Sequence, residues 1–381
     1  MADYNSSICC IFNIGTHYRN PIYSKMSSEL PCDFYFGDRL LTPIKKMDYT
    51  QLNHFRSELH NKYLFSQFYW QSKSVRLVFK PYTYYVLDGE PYCLSSWVIL
   101  FWAKLLNKRT VAWTHGWYGR ESIVKKVIKK LFYSLFSELM VYGEYAISLM
   151  SKEGFDKSKM VCIANSLDYD NQLKIRLNLS PSSIYSTHFS NSYPVLFYIG
   201  RVQKSKKLEY IIQAMDILKQ KGFPVNLVVV GKDVDGVHLD CEIAKYNLGS
   251  HVWLYGPCYD EMRIGEMFYN ADVCVSPGNV GLTAIHSLTY GCPVITHNNF
   301  PFQGPEFESI IQGKTGDFFQ ENDVNSLADT IQKWLSQNLH SREAIRQFAY
   351  QTIDTKWNLY YQMNILKQVF LIKLRKSFIL S

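Results

Sequence analysis

The sequence predicts an α/β protein made of two doubly wound, Rossmann-like domains. With 381 residues, the chain is long enough for two domains with substantial hydrophobic cores. Short apolar runs alternate with helical patterns in both halves, which is typical of parallel sheets with helices on both faces. A serine-rich, linker-like stretch at residues 178–192 separates the two series. The predicted domains are therefore residues 1–180 and 192–345, followed by a helical segment at 346–381.

The individual elements follow from the length and periodicity of each apolar run. In the first half, strands are predicted at Ser7–Ile14, Cys32–Phe36, Tyr84–Leu87 and Thr110–Trp113, with helices at Asn20–Leu30 and Leu94–Leu106. In the second half, strands are predicted at Val195–Ile199, Asn226–Val230, Val252–Leu254, Val273–Val275 and Pro293–Ile295.

Composition is that of a globular protein in a reducing compartment. The chain is 47% hydrophobic and 19% charged, which argues against disorder. Nine cysteines without a Cys-x-x-Cys pair favour reduced thiols and a cytoplasmic location. We find no signal-peptide pattern, and the longest apolar run, Cys93–Leu106, is shorter than the roughly 20 residues that span a bilayer. The net charge of +8 indicates anionic partners such as phosphates, nucleic acid or an acidic membrane surface.

Two loops of the second half are candidates for holding phosphate. The strand Val195–Ile199 runs into Gly200-Arg201, with Lys206 five residues after the arginine. Because ligands of open α/β sheets bind at the carboxyl ends of the strands, these cations are placed to hold a diphosphate. The alternative is a solvated basic loop, since Lys204 and Lys207 lie beside them.

The second loop, Ser276–Leu282, connects a strand to a helix predicted to begin near Gly281–Thr283. Its free backbone N–H groups would form an anion site. An ordinary strand–turn–helix connection explains the same residues.

Further motifs follow in a fixed order. They are Val228-Val229-Val230-Gly231, Gly256 after a strand, Ala271-Asp272-Val273, Gly291-Cys292-Pro293-Val294-Ile295 and Gly313-Lys314-Thr315-Gly316. With the two loops above, they resemble the nucleotide-binding half of the family-4 glycosyltransferases, which have the GT-B fold. The first half agrees through Thr114-His115-Gly116 and residues 164–168, so that the resemblance covers essentially the whole chain.

The resemblance implies two Rossmann-like domains around a central cleft, with the C-terminal helix crossing back to the first domain. It further implies a retaining, metal-independent transfer of a hexose or related sugar, without a cofactor. The co-substrate is a nucleotide sugar, a UDP-sugar being favoured over a GDP-sugar. Arg201, Lys206 and His115 are the implied catalytic residues. The implied donor-binding residues are Gly200, Gly231, Gly256, Asn279, Gly281, Leu282, Thr283, His286, Glu306 and Glu308.

One departure from the family concerns two glutamates that it usually carries eight positions apart. Gly278 and His286 occupy those positions here. A glycine offers no side chain to a sugar hydroxyl, whereas His286 can still hydrogen-bond to a ribose hydroxyl. Glu306 and Glu308 are candidates to replace the missing contact with the donor sugar. The alternative is that both are solvated surface carboxylates. The departure leaves open a catalytically inactive relative.

The acceptor is expected to bind the first domain. The loop Gly15-Thr16-His17-Tyr18-Arg19 follows the first strand, so Gly15, His17 and Arg19 are candidate acceptor-binding residues, or else turn residues. His115 has the alternative of a core histidine beneath a turn. After it, a helical run carries an apolar stripe, interpreted as core, and four lysines at 125, 126, 129 and 130. Such a basic face suits an anionic membrane, each cation contributing about 1 kcal/mol near the surface.

The resulting hypothesis is a glycosyltransferase of bacterial surface polysaccharide synthesis, at the inner face of the plasma membrane. Its acceptor is a saccharide or a lipid-linked saccharide. The alternatives are an enzyme like the nucleotide-sugar 2-epimerases and an inactive binding protein. Nucleic-acid binding is not expected, because no recognisable module for it occurs. Asp233-Val234-Asp235 resembles a metal-binding Asp-x-Asp motif, but it follows a glycine at a strand end and is interpreted as a turn.

Overall fold

A computed structural model describes residues 7–41, 44–338 and 341–379. The chain divides into two compact units. Unit 1 contains Met1–Leu167 together with Asn358–Ser381, and unit 2 contains Asp168–Trp357. Each unit is an α/β structure on a parallel sheet, as the alternation of apolar runs predicts.

Unit 1 has a seven-stranded parallel sheet and a separate antiparallel hairpin. The strands of this unit are β1 (Ile8–Phe12), β2 (Cys32–Gly37), β3 (Phe55–Leu59), β4 (Asn61–Phe65), β5 (Phe68–Gln71), β6 (Tyr84–Asp88), β7 (Arg109–Thr114), β8 (Glu138–Val141) and β9 (Met160–Cys162). The first four helices are α1 (Asn20–Glu29), α2 (Leu94–Leu105), α3 (Ile123–Ser134) and α4 (Glu144–Lys152). The sheet order is β3-β2-β1-β6-β7-β8-β9, and β4 pairs with β5 in the hairpin.

Unit 2 has a six-stranded parallel sheet. Its strands are β10 (Val195–Ile199), β11 (Asn226–Val230), β12 (Val252–Gly256), β13 (Val273–Ser276), β14 (Val294–His297) and β15 (Gly316–Phe319), in the order β12-β11-β10-β13-β14-β15. Its helices are α5 (Tyr169–Arg176), α6 (Ile184–Phe189), α7 (Glu209–Gln220), α8 (Leu239–Lys245), α9 (Glu261–Asn270), α10 (Thr283–Thr289), α11 (Val324–Asn338) and α12 (Arg342–Thr355). The last helix, α13 (Leu359–Ile379), belongs to unit 1.

The predicted strands are confirmed, and most of them are apolar runs in the interior of a sheet; β12 is an edge strand and is only partly buried. All five residues of β1 and all five of β11 are buried. The strands that the sequence analysis missed, such as β3 and β4, alternate between buried and exposed residues or are only partly covered. Their apolar content is too low to stand out from a loop.

The predicted linker and domain boundary differ from the structure. Residues 178–192 include helix α6, which buries Tyr185 and Phe189. The Tyr185 hydroxyl donates a hydrogen bond of 2.6 Å to the carbonyl oxygen of Met267, so this segment is anchored to unit 2. The boundary lies at Leu167/Asp168 instead of near residue 180, and residues 346–381 are divided between α12 and α13. The serine-rich composition suggested a linker, although Tyr185 and Phe189 anchor this segment to unit 2.

The apolar stripe of α3 was wrongly assigned to the core. Only the C-terminal end of the helix is buried, through Phe132 and Tyr133. The side chains of Ile123, Val124, Val127, Ile128 and Leu131 are all exposed, with Ile123 at 82%. Helical periodicity identifies an apolar face, but it does not show what covers that face.

Candidate active site

The two cationic and glycine-containing loops of unit 2 meet at the switch point of its sheet. Strands β10 and β13 are neighbours, and the chain continues from them toward opposite edges of the sheet. The loops after these two strands, residues 200–206 and 277–282, therefore flank the crevice in which open α/β sheets bind ligands. The sequence predicted both loops, and the topology explains why they lie together.

Lys206 is the cation most firmly held in this crevice. Its ammonium group donates a hydrogen bond to the carbonyl oxygen of Asn279 on the opposite loop. Burial and the neighbouring charge of Arg201 lower the pKa of Lys206, while the Glu306 carboxylate raises it. Arg201 itself is exposed, and its carbonyl oxygen accepts a hydrogen bond of 3.0 Å from Tyr198. One cation is thus fixed and the other is accessible to a ligand.

Gly278 joins the two loops through its backbone. Its N–H donates to the carbonyl oxygen of Lys206 at 3.1 Å. A Cβ atom at this position would lie 2.3 Å from the carbonyl oxygen of Ser205 and 2.8 Å from the Cα of Lys206. No side chain fits there without displacing the Lys206 turn, so the missing glutamate has a packing reason.

The rest of the glycine-containing loop leads into α10, which begins at Thr283 with Leu282 as its N-cap. Gly281 has a φ of +52°, and the Thr283 hydroxyl donates to the carbonyl oxygen of Ile199 at 3.3 Å. The buried side chain of Gln303 accepts a hydrogen bond from the Val280 N–H at 2.9 Å and donates to Thr296. Gln303 was not predicted, because no local pattern marks a buried amide that supports a distant loop.

Three predicted glycines end successive strands of this sheet. Gly200 follows β10, Gly231 follows β11, and Gly256 is the last residue of β12. A Cβ on Gly231 would lie 1.8 Å from the carbonyl oxygen of Gly200, so the two strand ends touch. Gly256 has a φ of +84°. These glycines bring backbone, without side chains, to the edge of the crevice.

The two candidate glutamates differ in their position. Glu306 is 4% exposed and lies under the glycine-containing loop: a Cβ on Gly304 would meet Glu306 Oε2 at 2.7 Å and the Gly281 Cα at 3.5 Å. Glu308 is only half-buried. The structure therefore brings Glu306, with its influence on Lys206, into the site.

His286 is paired with a carboxylate that the sequence analysis missed. Its Nε2 atom is 2.8 Å from Glu261 Oε1, the same oxygen that accepts hydrogen bonds from Tyr290 and Gln172. Burial by itself would raise the pKa of Glu261. The hydrogen bonds, of which that from His286 is the strongest, outweigh this effect and lower the pKa to about 2. Glu261 is the first residue of α9. Its carboxylate lies next to His286 of α10, the position at which the glycosyltransferases that this sequence resembles usually carry a glutamate.

Unit 1 has its own switch point, between β1 and β6. The Asn13 N–H after β1 donates to the Asp88 carboxylate at the end of β6. Burial raises the pKa of Asp88 to about 7. Asp88 and Glu90 were not predicted, although two carboxylates directly after a buried strand were an available signal.

The predicted acceptor residues lie on the first of these loops. The Gly15 carbonyl oxygen accepts from Met47, and its backbone packs so closely on Tyr49 that a Cβ would lie 2.7 Å from that ring. His17 is exposed. The Arg19 guanidinium lies over the rings of Trp113 and Tyr142, at 5.8 and 5.3 Å from their centroids.

His115 follows β7 at the next strand end. Its ring contacts Tyr142 with a centroid distance of 4.9 Å. His115 is exposed at the surface, but desolvation of its ring, together with the charges of Arg19 and Lys129, lowers the pKa of His115 to about 4. The imidazole is therefore neutral at physiological pH, a form that can donate or accept a hydrogen bond.

A pocket of about 480 Å³ opens beside His115 within unit 1. Its wall includes Glu90, Arg120, Lys125 and Lys129. Lys129 donates 2.7 Å hydrogen bonds to the Gly116 carbonyl oxygen and to Glu121, so this lysine faces the pocket wall instead of solvent. Lys129 therefore does not belong to the exposed basic face that the sequence predicted for the four lysines. Both acidic and basic groups line the pocket, which suits a polyhydroxylated ligand with an anionic group.

The Asp233 turn is confirmed. The Asp233 carboxylate accepts hydrogen bonds from the backbone N–H groups of Asp235, Val237 and His238. Within the described parts of the chain, no three His, Cys, Asp or Glu side chains are grouped to hold a metal ion.

Comparison with known proteins matches the unit that carries the two loops. Residues 183–352 match the family model of the glycosyl transferases group 1. A curated relative, the capsular polysaccharide biosynthesis glycosyltransferase CapM of Staphylococcus aureus, is 24% identical over 168 residues. That alignment covers 43% of this chain and 42% of CapM, so the chain spans less than half of the relative's length.

Solved structures resemble the whole chain. HepE of Anabaena in complex with UDP has a TM-score of 0.71 at 13% identity, over 95% of this chain and 99% of HepE. The lipopolysaccharide outer core galactosyltransferase WaaB has a TM-score of 0.68 at 13% identity, with the same coverage. Sucrose-phosphate synthase of Thermosynechococcus elongatus has a TM-score of 0.67 at 16% identity, over 98% of this chain and all of that protein. The fold is GT-B. Together, the family match and the capsular relative support a glycosyltransferase.

Proposed function

We propose that this chain transfers a hexose or related sugar from a nucleotide-diphosphate donor to a saccharide or lipid-linked saccharide. The single observation that carries the proposal is the meeting of Arg201, Lys206 and the 277–282 loop at the switch point of unit 2. When the bond from the sugar to the diphosphate breaks, negative charge develops on the leaving oxygen. Preorganised cations and backbone N–H groups stabilise that charge without reorganising.

In this proposal, the cations meet the leaving diphosphate and no metal ion is needed. Lys206 is held in place by Asn279, while Arg201 is accessible to form a bidentate contact with phosphate oxygens. Transfer with retention of the anomeric configuration is proposed on the family resemblance, and so is the preference for a UDP-sugar. HepE, which has the same fold, has been solved in complex with UDP-glucose.

Glu306 is proposed to bind a hydroxyl group of the donor sugar in place of the absent side chain at 278. Its buried carboxylate lies beside the glycine-containing loop and acts on Lys206. His286 and Glu261 are proposed to bind the ribose as a pair, because the hydrogen bond between them presents a polar surface on α10. The close packing of Gly278 favours a working enzyme over a decayed relative, since the departure has a structural role.

The acceptor is proposed to bind unit 1, at the pocket beside His115 and the loop of His17 and Arg19. Neutral His115 would hydrogen-bond to a sugar hydroxyl. We place the reaction in bacterial surface polysaccharide synthesis, as for CapM, with the enzyme in the cytoplasm and attached peripherally to the plasma membrane. No helix of the described chain is long and apolar enough to cross a bilayer.

Thermal-shift binding tests the donor site. UDP, GDP and their glucose conjugates are compared on the wild type, on Arg201→Ala and on Lys204→Ala, which removes an exposed lysine from the same loop. We expect stabilisation by UDP and UDP-glucose, lost in Arg201→Ala and kept in Lys204→Ala. If no nucleotide stabilises the wild type, the proposed donor site is wrong.

A further inference from the structure

Helix α3 presents an apolar face to solvent along most of its length. Ile123, Val124, Val127 and Leu131 are between 54% and 82% exposed, and Ile128 is 37% exposed. Helix α7 has the same length of 12 residues, but it buries Ile211, Ile212, Ala214, Met215 and Leu218 in the core of unit 2. A single exposed apolar residue is ordinary on a protein surface, whereas a row of five along one helix marks an interaction site.

The neighbouring helix α2 carries a second group of exposed apolar residues. Its C-terminal end exposes Phe101, Trp102, Leu105 and the adjacent Leu106, and the Trp102 ring contacts exposed Phe79 at 5.5 Å. Helices α2 and α3 follow the adjacent strands β6 and β7, and right-handed crossovers place both on the same face of the sheet. Trp97 of α2 packs on Phe132 of α3 at 4.9 Å, so the two helices touch.

The two helices themselves carry charge of one sign. Residues 94–109 and 122–134, which contain α2 and α3, include lysines and an arginine but no aspartate or glutamate. Lys104, Lys125 and Lys130 have no acidic partner among the residues that the structure describes, whereas Lys126 is paired with Glu153. Exposed apolar and aromatic side chains among unpaired lysines match the chemistry of a bilayer with anionic headgroups.

We propose that the outer faces of α2 and α3 form a membrane-docking surface that inserts shallowly into an anionic bilayer. Ile123, Val127, Leu131, Phe101 and Leu105 enter the boundary between headgroups and acyl chains. Trp102 lies at the headgroup level, where aromatic rings are favoured. Lys104 and Lys130 contact the anionic headgroups. This surface specifies the membrane attachment proposed above, and it replaces the four-lysine face as the contact.

Docking through α3 has a consequence for the acceptor. Lys125, at the start of α3, lines the pocket beside His115. With α3 at the bilayer surface, that pocket opens at headgroup level, where the phosphate and sugar of a lipid-linked acceptor lie. This step rests on the proposed transferase function, whereas docking itself does not.

Sedimentation with vesicles tests the docking surface without requiring enzyme activity. The wild type is mixed with vesicles of phosphatidylglycerol and phosphatidylcholine, or of phosphatidylcholine alone. We expect binding to the anionic vesicles that falls by about ten-fold in Val127→Gln/Leu131→Gln and in Phe101→Gln/Leu105→Gln. Lys104→Gln/Lys130→Gln is expected to lose most of the preference for anionic vesicles. The control Tyr259→Gln/Met262→Gln removes two exposed apolar side chains from unit 2 and should bind like the wild type.

A lipid brominated along its acyl chain reports insertion, because it should quench part of the tryptophan fluorescence in the wild type and less in Trp102→Phe. The melting temperature of each variant without ligand checks that it is folded, and the additional stabilisation by UDP separates this inference from the proposed function. The inference is overturned if the wild type does not bind vesicles or if the apolar variants bind equally well. It is also overturned if light scattering shows a dimer in solution that Val127→Gln/Leu131→Gln converts to a monomer.

Discussion

The strand-end loops of the two units are built from different kinds of residue. In unit 2, glycines and backbone carbonyls surround two cations, and a side chain at Gly278 would collide with the Lys206 turn. In unit 1, aromatic rings contact Arg19 and His115, and desolvation raises the pKa of Asp88 and lowers that of His115. In the proposed function, the cations and backbone N–H groups of unit 2 recognise the diphosphate, and glycines allow its loops to pack closely. The neutral polar groups of unit 1 would recognise sugar hydroxyls.

Removing Lys206 should have the largest effect. We expect Lys206→Ala to reduce turnover by about 10²–10³-fold, as for loss of one oxyanion-stabilising donor. His115→Ala, which removes one neutral hydrogen-bonding group from the unit 1 site, should reduce turnover by only about ten-fold. Steady-state kinetics with a UDP-sugar would measure both. An equal loss in the two variants would remove the distinction between the sites, and Lys204→Ala serves as the control.

Gly278→Ala tests whether the phosphate-side loop depends on backbone packing. The added Cβ would have to push away the Ser205 carbonyl oxygen, which lies 2.3 Å from it. Overpacking of this kind costs about 1–3 kcal/mol, and we expect UDP affinity to fall by about ten-fold. In Gly249→Ala, a Cβ meets nothing within 4 Å, so this variant should bind UDP like the wild type. Isothermal titration of UDP gives the comparison, and normal affinity in Gly278→Ala would contradict it.

Glu306→Gln should change donor-sugar recognition with a smaller effect. The amide keeps the shape of this buried side chain but removes the charge that acts on Lys206. We expect the affinity for UDP-glucose to fall several-fold, by about 1 kcal/mol, while UDP binding changes less. Glu308→Gln alters a half-buried carboxylate two residues away and is the matched control. If the affinity for UDP-glucose falls equally in both variants, Glu306 has no special role in binding the donor sugar.

The smallest effect concerns the partly buried Asp88 carboxylate of unit 1. The folded pKa of Asp88 is about 7, above its ordinary value of 3.8, so the unfolded chain releases this proton more readily. Stability is therefore greatest where Asp88 is protonated in both states, and declines as pH rises from 3.8 to about 7. Asp88→Asn should remove this part of the decline in melting temperature, whereas Asp240→Asn, on the surface of α8, should retain it. If the melting temperatures of the wild type and Asp88→Asn decline in parallel as the pH rises, the raised pKa of Asp88 does not contribute to stability.

The sequence alone determined the two parallel sheets and the phosphate-side loops. Strands such as β10 and β11 are short apolar runs buried on both sides, and their pattern is local. The glycines and cations near residues 200 and 280 are also local, because a tight strand-to-helix turn demands particular residues at fixed spacing.

Only the tertiary structure decided which distant groups meet and which faces remain uncovered. Gln303 supports Val280 from 23 residues away, and Asp88 accepts from Asn13 across 75 residues. The pairing of Glu261 with His286 joins two helices, α9 and α10. The apolar faces of α3 and α7 look alike in sequence, but only that of α7 is covered. Burial and pKa values depend on what surrounds a side chain in space, and a linear pattern carries no record of those neighbours.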